Sequence, residues 1–192
     1  EFWMVEPEIA YCDIEEDMVW AEKLLVYIIE HILENRSDEL KILGRDISSL
    51  GKIKVPFPRI SYTECINILK NDGFDIKWGD DFGSPEETHI SDKYEKPVIV
   101  HRFPSEIKAF YMKRDPENEK VVLGMDILAP DGYGEIVGGS ERETDIDVLL
   151  HRIEQEKLDK DDYSWFLDLR KFGSVPHAGF GMGLERVVAW IC

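Results

Sequence analysis

The glycine-rich run near the end of the chain, Gly173-Ser-Val-Pro-His-Ala-Gly-Phe-Gly-Met-Gly-Leu-Glu-Arg186, is the stretch that decides the fold. Its alternating glycines at positions 179, 181 and 183 allow a strand to lie very close to another surface. The helix predicted at residues 185–190 places Arg186 near its N-terminus, where a guanidinium can stack on a base or pair with a phosphate. The bare pattern is also typical of tight packing, and it lacks the GK[ST] of a Walker loop.

The pattern outside this run predicts a sheet that carries helices. Residues 1–11 are rich in aromatic and β-branched side chains and predict a strand with one functional face. Apolar residues at helical spacing predict a long helix from about residue 18 to residue 35, preceded by the acidic segment 13–17. Further strands are predicted at 97–103, 109–114, 121–128 and 133–137, and further helices at 61–70, 145–156 and 162–170.

Turn and loop residues fix the expected order of these elements. Residues 115–118 carry turn chemistry, so the strands on either side are predicted to form an antiparallel hairpin. Residues 78–95 are polar with Gly and Pro, which predicts a loop with about one helical turn. No repeat divides the chain. The fold class expected is therefore α+β, a mostly antiparallel β-sheet flanked by helices.

Composition excludes several classes of protein. The chain of 192 residues, 43% of them hydrophobic, fits one domain, and its three cysteines form no ligand pattern. A net charge of -17 argues against this piece alone holding a long nucleic acid. The longest apolar stretch, residues 24–29, is too short for a membrane span, and no basic-then-apolar signal opens the chain. We therefore expect no membrane partner and a cytoplasmic location.

Two motifs resemble those of the class II aminoacyl-tRNA synthetases. Gly-x-Gly-x-Glu-Arg at residues 181–186 resembles motif 3 of that family, and the preceding Pro-His-Ala-Gly resembles its aspartyl/asparaginyl subgroup. The opening Glu-Phe-Trp-Met-Val-Glu-Pro-Glu resembles the second strand of motif 2. The resemblance implies an incomplete class II catalytic core in which Phe2 and Arg186 clamp the adenine of ATP, with Gly183 also at the nucleotide.

A third match lies in the middle of the chain, at Gly124-Met-Asp-Ile-Leu and Gly134-Glu-Ile-Val-Gly-Gly-Ser-Glu-Arg-Glu143. By resemblance, Asp126 and Glu135 hold Mg²⁺ between the phosphates of ATP. Two hard carboxylates suit this ion when phosphates and water complete its ligands. Taken without the flanking motifs, the two residues are more typical of ordinary polar positions on strands.

The same match implies a set of residues that contact the amino acid. Arg142 is expected to meet the side-chain carbonyl oxygen, with Ser140 nearby and Glu6 directed toward the amino acid. Glu143 belongs to the asparaginyl form of the motif and is expected to accept from an amide NH₂ while repelling a second carboxylate. Glu143 is also typical of a favourable charge at a helix N-terminus. His177 is expected near the substrate, although a structural loop histidine is the alternative.

The resemblance implies an asparagine-tRNA ligase that forms asparaginyl-adenylate from asparagine and ATP, releases pyrophosphate, and esterifies tRNA(Asn). Arg142, Glu135 and Arg186 are the expected catalytic residues. An aspartyl enzyme, a paralogue that makes asparagine and a non-catalytic binding module are the alternatives. Residues 1–192 are expected to be the C-terminal part of the catalytic domain, without motif 1, its homodimer interface or the anticodon-binding domain. We expect these residues alone to be nearly inactive.

Overall fold

Nine strands and eight helices make up the structure, a computed structural model that describes residues 1–192. The strands are β1 (Met4–Val5), β2 (Glu8–Ala10), β3 (Arg59–Ser61), β4 (Val98–His101), β5 (Arg114–Asp115), β6 (Asn118–Val122), β7 (Gly124–Ala129), β8 (Gly134–Glu141) and β9 (His177–Gly183). The helices are α1 (Ile14–Asn35), α2 (Ser37–Ile42), α3 (Ile47–Leu50), α4 (Tyr62–Asn71), α5 (Ser84–Ser91), α6 (Ile146–Gln155), α7 (Ser164–Lys171) and α8 (Leu184–Ile191).

Seven of the strands form one sheet that brings the two ends of the chain together. Its order is β1-β9-β8-β7-β4-β3, and β2 also pairs with β9. All pairs are antiparallel except β3 with β4. The predicted α+β class with a mostly antiparallel sheet is confirmed. The opening segment is two short strands rather than one, and both lie against the glycine-rich strand β9.

Helix α1 begins a full turn before the predicted start at residue 18. The Asp13 side chain accepts a hydrogen bond from the Glu16 backbone N–H at 2.9 Å and so caps the helix. The acidic residues that follow lie in the first turn, where the helix dipole favours negative charge. The segment read from sequence as a lead-in is therefore part of the helix. No helix of the structure has the length and apolar character needed to cross a membrane.

The sheet buries apolar side chains on both faces. Along β4, Ile99 joins the core under α1 and α8, whereas Val98 and Val100 join the core under α4. This is the two-residue alternation of a strand covered on both sides. A third, small cluster lies between α6, α7 and Phe110. Because α1 and α8 cover one face, functional side chains must lie on the other face or at the strand ends.

The strands predicted at 109–114 and 121–128 differ from those observed. A short hairpin does form at the predicted turn, from β5 and β6. Most of 109–114 is irregular and touches the sheet by one bridge, between Met112 and Arg142. Residues 121–128 divide at Leu123 into β6 and the buried central strand β7. The chain passes here from one sheet to another, so β6 and β7 do not share a single alternation of buried and exposed residues. The sequence pattern does not mark this change, and it therefore predicted one strand.

Two helix predictions in the first half of the chain have different outcomes. The capping box that opens α4 is confirmed, because the Glu64 N–H donates to Ser61 Oγ and the Ser61 N–H donates to the Glu64 carboxylate. The loop predicted at 78–95 instead contains the two-turn helix α5. Pro85 lies in its first turn, and the Glu86 carboxylate accepts from the Gly83 N–H at 3.0 Å.

The first turn of α1 also carries a buried carboxyl group, that of Asp17. Its side chain is fully buried, and neither carboxyl oxygen has a hydrogen-bond partner. Asp17 lies beneath Gly139, at which an added Cβ would come within 3.0 Å of Asp17 Oδ2. Burial raises the pKa of Asp17 to about 7, against a smaller opposing effect of Arg142. The protein therefore holds this carboxyl neutral over much of the acidic range.

We expect Asp17→Asn to flatten the dependence of stability on pH. Between the ordinary pKa of 3.8 and the folded value of about 7, the folded protein keeps a proton that the unfolded chain has lost. The stability of the wild type should therefore fall as pH rises through that range, by a few kcal/mol at most. Calorimetry of the full-length protein at about pH 5 and about pH 8 measures the effect. Exposed Glu16→Gln is the control, and parallel curves for Asp17→Asn and the wild type would contradict the expectation.

Candidate active site

A cleft of about 850 Å³ opens on the face of the sheet opposite α1. Strands β8 and β9 form its floor, and paired residues such as Gly138 and Gly181 have no side chains to fill it. The segment that carries β1 and β2 forms one wall, and the irregular segment before β5 forms another. Charged and hydrophobic side chains line it in equal number, and the charged ones include Glu6, Glu8, Lys108, Asp126, Glu135 and Arg142.

One glycine of β9, Gly179, is required by the close approach of the opening segment. A Cβ at Gly179 would lie 2.5 Å from the backbone oxygen of Pro7, and one at Gly181 would lie 3.0 Å from Met4 Cε. The first contact is with rigid backbone, whereas the second is with the end of a flexible side chain. At Gly183 the nearest atom is 3.6 Å away, which is ordinary contact. Tight packing, one of the two interpretations of the pattern, thus accounts for Gly179.

Arg142 is the most constrained charged side chain in the cleft. Its Nη2 donates to Glu8 Oε1 at 2.7 Å, its Nε also donates to the Glu8 carboxylate, and its Nη1 donates to Ser140 Oγ at 2.6 Å. The guanidinium carbon lies 5.2 Å from the centre of the Tyr111 ring. With the side chain only 14% exposed, the guanidinium is held in one orientation before any ligand binds.

The carboxylates of Asp126 and Glu135 converge at the other end of the cleft. A Cβ at Gly138 would lie 2.7 Å from Glu135 Oε1 and 3.5 Å from Asp126 Oδ1, so both groups face one point. Burial, and next the Asp126 charge, raises the pKa of Glu135 to about 7, and burial also raises the pKa of Asp126. Lys108 Nζ donates to Asp126 Oδ2 at 2.6 Å.

These two carboxylates fit a hard divalent cation such as Mg²⁺, although they do not enclose one. Oxygen ligands are what Mg²⁺ prefers, and its usual protein sites supply only one or two carboxylates and leave the rest to phosphates and water. The structure contains no cluster of three or more side chains that could hold a metal. A cation at Asp126 and Glu135 would therefore depend on oxygens brought by a nucleotide.

Two other predicted contacts lie in the cleft. Glu6 and His177 both line it. His177 Nδ1 lies 2.8 Å from the carbonyl oxygen of Val175. Because a carbonyl can only accept, Nδ1 carries the proton of that bond, and in the neutral ring Nε2 remains an acceptor.

The proposed adenine residues lie at the edge of the cleft. The Trp3 N–H donates to Glu185 Oε1 at 2.9 Å, which brings the opening segment to the start of α8. Phe2, beside it, is 77% exposed, and Arg186 donates from Nη1 to the Glu135 carbonyl oxygen at 2.8 Å. Gly183 is the residue before α8. The structure thus brings these residues to one corner of the sheet but not into the cleft itself.

Glu143 and Ser140 do not line the cleft. The Glu143 carboxylate accepts from the backbone N–H groups of Thr144 and Asp145, at 2.8 Å and 2.9 Å. The Glu143 oxygens are thus directed into the turn before α6, as in the alternative interpretation, and its expected role in reading the amide stays a prediction. Ser140 is fully buried and meets the cleft only through Arg142.

Sequence reasoning missed Glu8 and Lys108. The sequence does contain a signal for Glu8. The two-residue alternation of a strand places Met4, Glu6 and Glu8 on one face of the opening segment, and all three line the cleft. Lys108 had none, since it lies in the irregular stretch between β4 and β5. Its place opposite Asp126 follows only from the folded structure.

Comparison with known proteins agrees with this arrangement along the whole chain. The family model described as tRNA synthetases class II (D, K and N) matches residues 1–192. The chain belongs to this family. The class II resemblance is thus confirmed.

Individual synthetases of the family match to different degrees. The asparagine–tRNA ligase of Desulforamulus reducens is 55% identical over 192 residues, which are 100% of this chain and 45% of the relative. The crystal structure of Pyrococcus horikoshii asparaginyl-tRNA synthetase with asparaginyl-adenylate superposes with a TM-score of 0.96 at 48% identity, over 99% of this chain and 44% of that one. The structure of Entamoeba histolytica aspartyl-tRNA synthetase superposes with a TM-score of 0.86 at 28% identity, over 99% of this chain and 40% of that one. The chain thus spans less than half of these relatives.

We expect Gly179→Ala to destabilise this synthetase domain far more than Gly183→Ala. The added methyl at 179 meets the rigid Pro7 carbonyl, so the opening segment must move away from β9, at a cost of about 1–3 kcal/mol or more. At 183 the methyl meets only ordinary contacts. Thermal unfolding of the two full-length variants measures the difference. Equal melting temperatures would show that the close approach at Gly179 is not a constraint.

Proposed function

We propose that the protein containing this chain is an asparagine-tRNA ligase. The observation that carries the proposal is the cleft itself, in which a fixed Arg142–Glu8 pair lies on the same floor as the Asp126–Glu135 pair. One pair suits a small polar side chain, and the other suits the metal of a nucleotide. The similarity to asparaginyl-tRNA synthetases along the whole chain supports this assignment.

The choice of asparagine rests on the pairing of Arg142 with Glu8. A carboxamide presents an acceptor oxygen and a donor NH₂, which match the Arg142 guanidinium and the Glu8 carboxylate respectively. Aspartate would bring a second carboxylate against Glu8 and leave an acceptor facing an acceptor. Glu8 thus takes the discriminating role that the sequence motif suggested for Glu143. Ser140 contributes by fixing Arg142.

Activation of the amino acid requires no nucleophile from the protein. A carboxylate oxygen of asparagine forms a bond to the α-phosphorus of ATP, and the bond from that phosphorus to pyrophosphate breaks. We assign the orientation of the amino acid to Glu6 and His177, which line the cleft, and the binding of adenine to Phe2 and Arg186 at its edge. Mg²⁺ bound at Asp126 and Glu135 would supply positive charge for the phosphates. The residues act by positioning the reactants.

The second step transfers the asparaginyl group to the 3′-terminal adenosine of tRNA(Asn). A ribose hydroxyl attacks the acyl carbon and AMP leaves, so no further cofactor is needed. Because the chain spans 45% of its asparagine–tRNA ligase relatives, we propose that the rest of the protein provides the α-phosphate arginine, the anticodon-binding domain and a homodimer contact. A cytoplasmic location fits this function.

Amino-acid-dependent exchange of pyrophosphate into ATP tests the proposal on the full-length protein. We expect exchange with asparagine and none with aspartate. Arg142→Ala should lower kcat/KM for asparagine by about 100-fold, because a buried charge-assisted contact is lost and Glu8 is left without its partner. Glu8→Gln should reduce the preference for asparagine over aspartate by about tenfold or more, since the repulsive carboxylate is removed.

Glu143→Gln is the matched control for Glu8→Gln. Like Glu8→Gln, it exchanges a carboxylate for a carboxamide of the same shape, here at the residue that the sequence motif suggested for recognition of the substrate amide. It should leave the amino-acid preference unchanged, because the Glu143 oxygens are directed into the turn. A loss of preference in Glu143→Gln instead would restore the sequence-based assignment. Exchange with aspartate alone would indicate an aspartyl enzyme or an asparagine-forming paralogue, and no exchange would indicate a binding module.

A further inference from the structure

A lysine pairs with one of the two carboxylates that suit a metal. Lys108 Nζ lies 2.6 Å from Asp126 Oδ2, and the side chains are only 16% and 11% exposed. The ammonium also lies 4.1 Å from the centre of the Phe103 ring. A carboxylate with so little water around it requires a compensating positive charge. In this structure that charge comes from Lys108.

The backbone of Lys108 is fixed, whereas its ammonium reaches the cleft. Arg152 of α6 donates from Nη2 to the carbonyl oxygens of Ser105 and Lys108, at 2.9 Å and 3.4 Å. The side chain lines the cleft beside Asp126 and Glu135. A four-carbon stem on an anchored backbone allows the charged end to move several ångströms without any change in the fold.

A divalent cation that binds at Asp126 meets the lysine there. Two cations on one carboxylate repel each other strongly at short range. A metal at Asp126 Oδ1 therefore binds more tightly when the Lys108 ammonium leaves Oδ2, and the nearest new anion for that ammonium is the polyphosphate that the same metal carries. No movement of the strands is needed, because only the side chain must turn.

We propose that Lys108 is an exchangeable counter-ion of the nucleotide site, which holds Asp126 in the metal-free protein and transfers to the polyphosphate when metal and nucleotide enter. The transfer of the Lys108 ammonium to the polyphosphate rests on the proposed function, whereas its competition with a metal for Asp126 does not. Lys108 weakens metal binding in the absence of nucleotide and contributes charge to the departing pyrophosphate in its presence. The site thereby favours a metal that arrives with its nucleotide.

Mn²⁺ titration of the full-length protein without nucleotide, followed by electron paramagnetic resonance, tests the first part. We expect Lys108→Met to bind Mn²⁺ about tenfold more tightly than the wild type, because the competing cation is gone. Lys108→Arg should bind as weakly as the wild type. Lys120→Met, which removes the charge of an exposed lysine outside the cleft, should change nothing. Unchanged or weaker binding in Lys108→Met overturns the competition.

Pyrophosphate exchange tests the second part. We expect Lys108→Met to raise the KM for pyrophosphate by about tenfold, with a smaller change in the KM for asparagine. An unchanged KM for pyrophosphate overturns the transfer. Lys108→Gln gives the same comparisons if methionine at this position unfolds the protein. The Mn²⁺ titration uses neither amino acid nor tRNA. Tighter Mn²⁺ binding by Lys108→Met, together with no asparagine-dependent exchange by the wild type, would therefore sink the proposed function and leave the competition standing.

Discussion

The pairing of the opening segment with strand β9 is the contact on which the rest of the cleft depends. It is possible only because the Pro7 carbonyl can approach position 179 to a distance that excludes a side chain. That approach places Glu8 against Arg142 and brings Trp3 to the first turn of α8. The polar contacts of the cleft therefore depend on a steric property of the backbone, and the glycines act through the distance they allow rather than through contact with a ligand.

Much of the fold could be predicted from the sequence, for reasons specific to each element. The long apolar stripe of α1 and the capping box of α4 are local patterns that survive in any context. The prediction failed at 109–128, where the chain passes between sheets, and at α5, whose polar residues hide a helix start. The motifs located Asp126, Glu135 and Arg142 in the cleft. They could not assign Glu143, because its direction depends on how the turn before α6 closes.

Two charge arrangements divide the cleft between different tasks. At one end Arg142 is held by Glu8 and Ser140, and the pair is complementary to a neutral polar group. At the other end Lys108 compensates Asp126 beside a second carboxylate of raised pKa, Glu135. Each arrangement is already neutralised within the protein. A ligand must therefore replace the existing partners of these side chains rather than meet an unpaired charge. This favours selective binding over tight binding.

The position of β9 between β1 and β8 has a consequence for how the protein is made. The strand pairs residues near position 180 with residues near position 5, so the sheet closes through contacts of very large sequence separation. During synthesis the opening segment leaves the ribosome long before its partner strand exists. The cleft therefore cannot form before β9 has emerged, however early the rest of its wall is made.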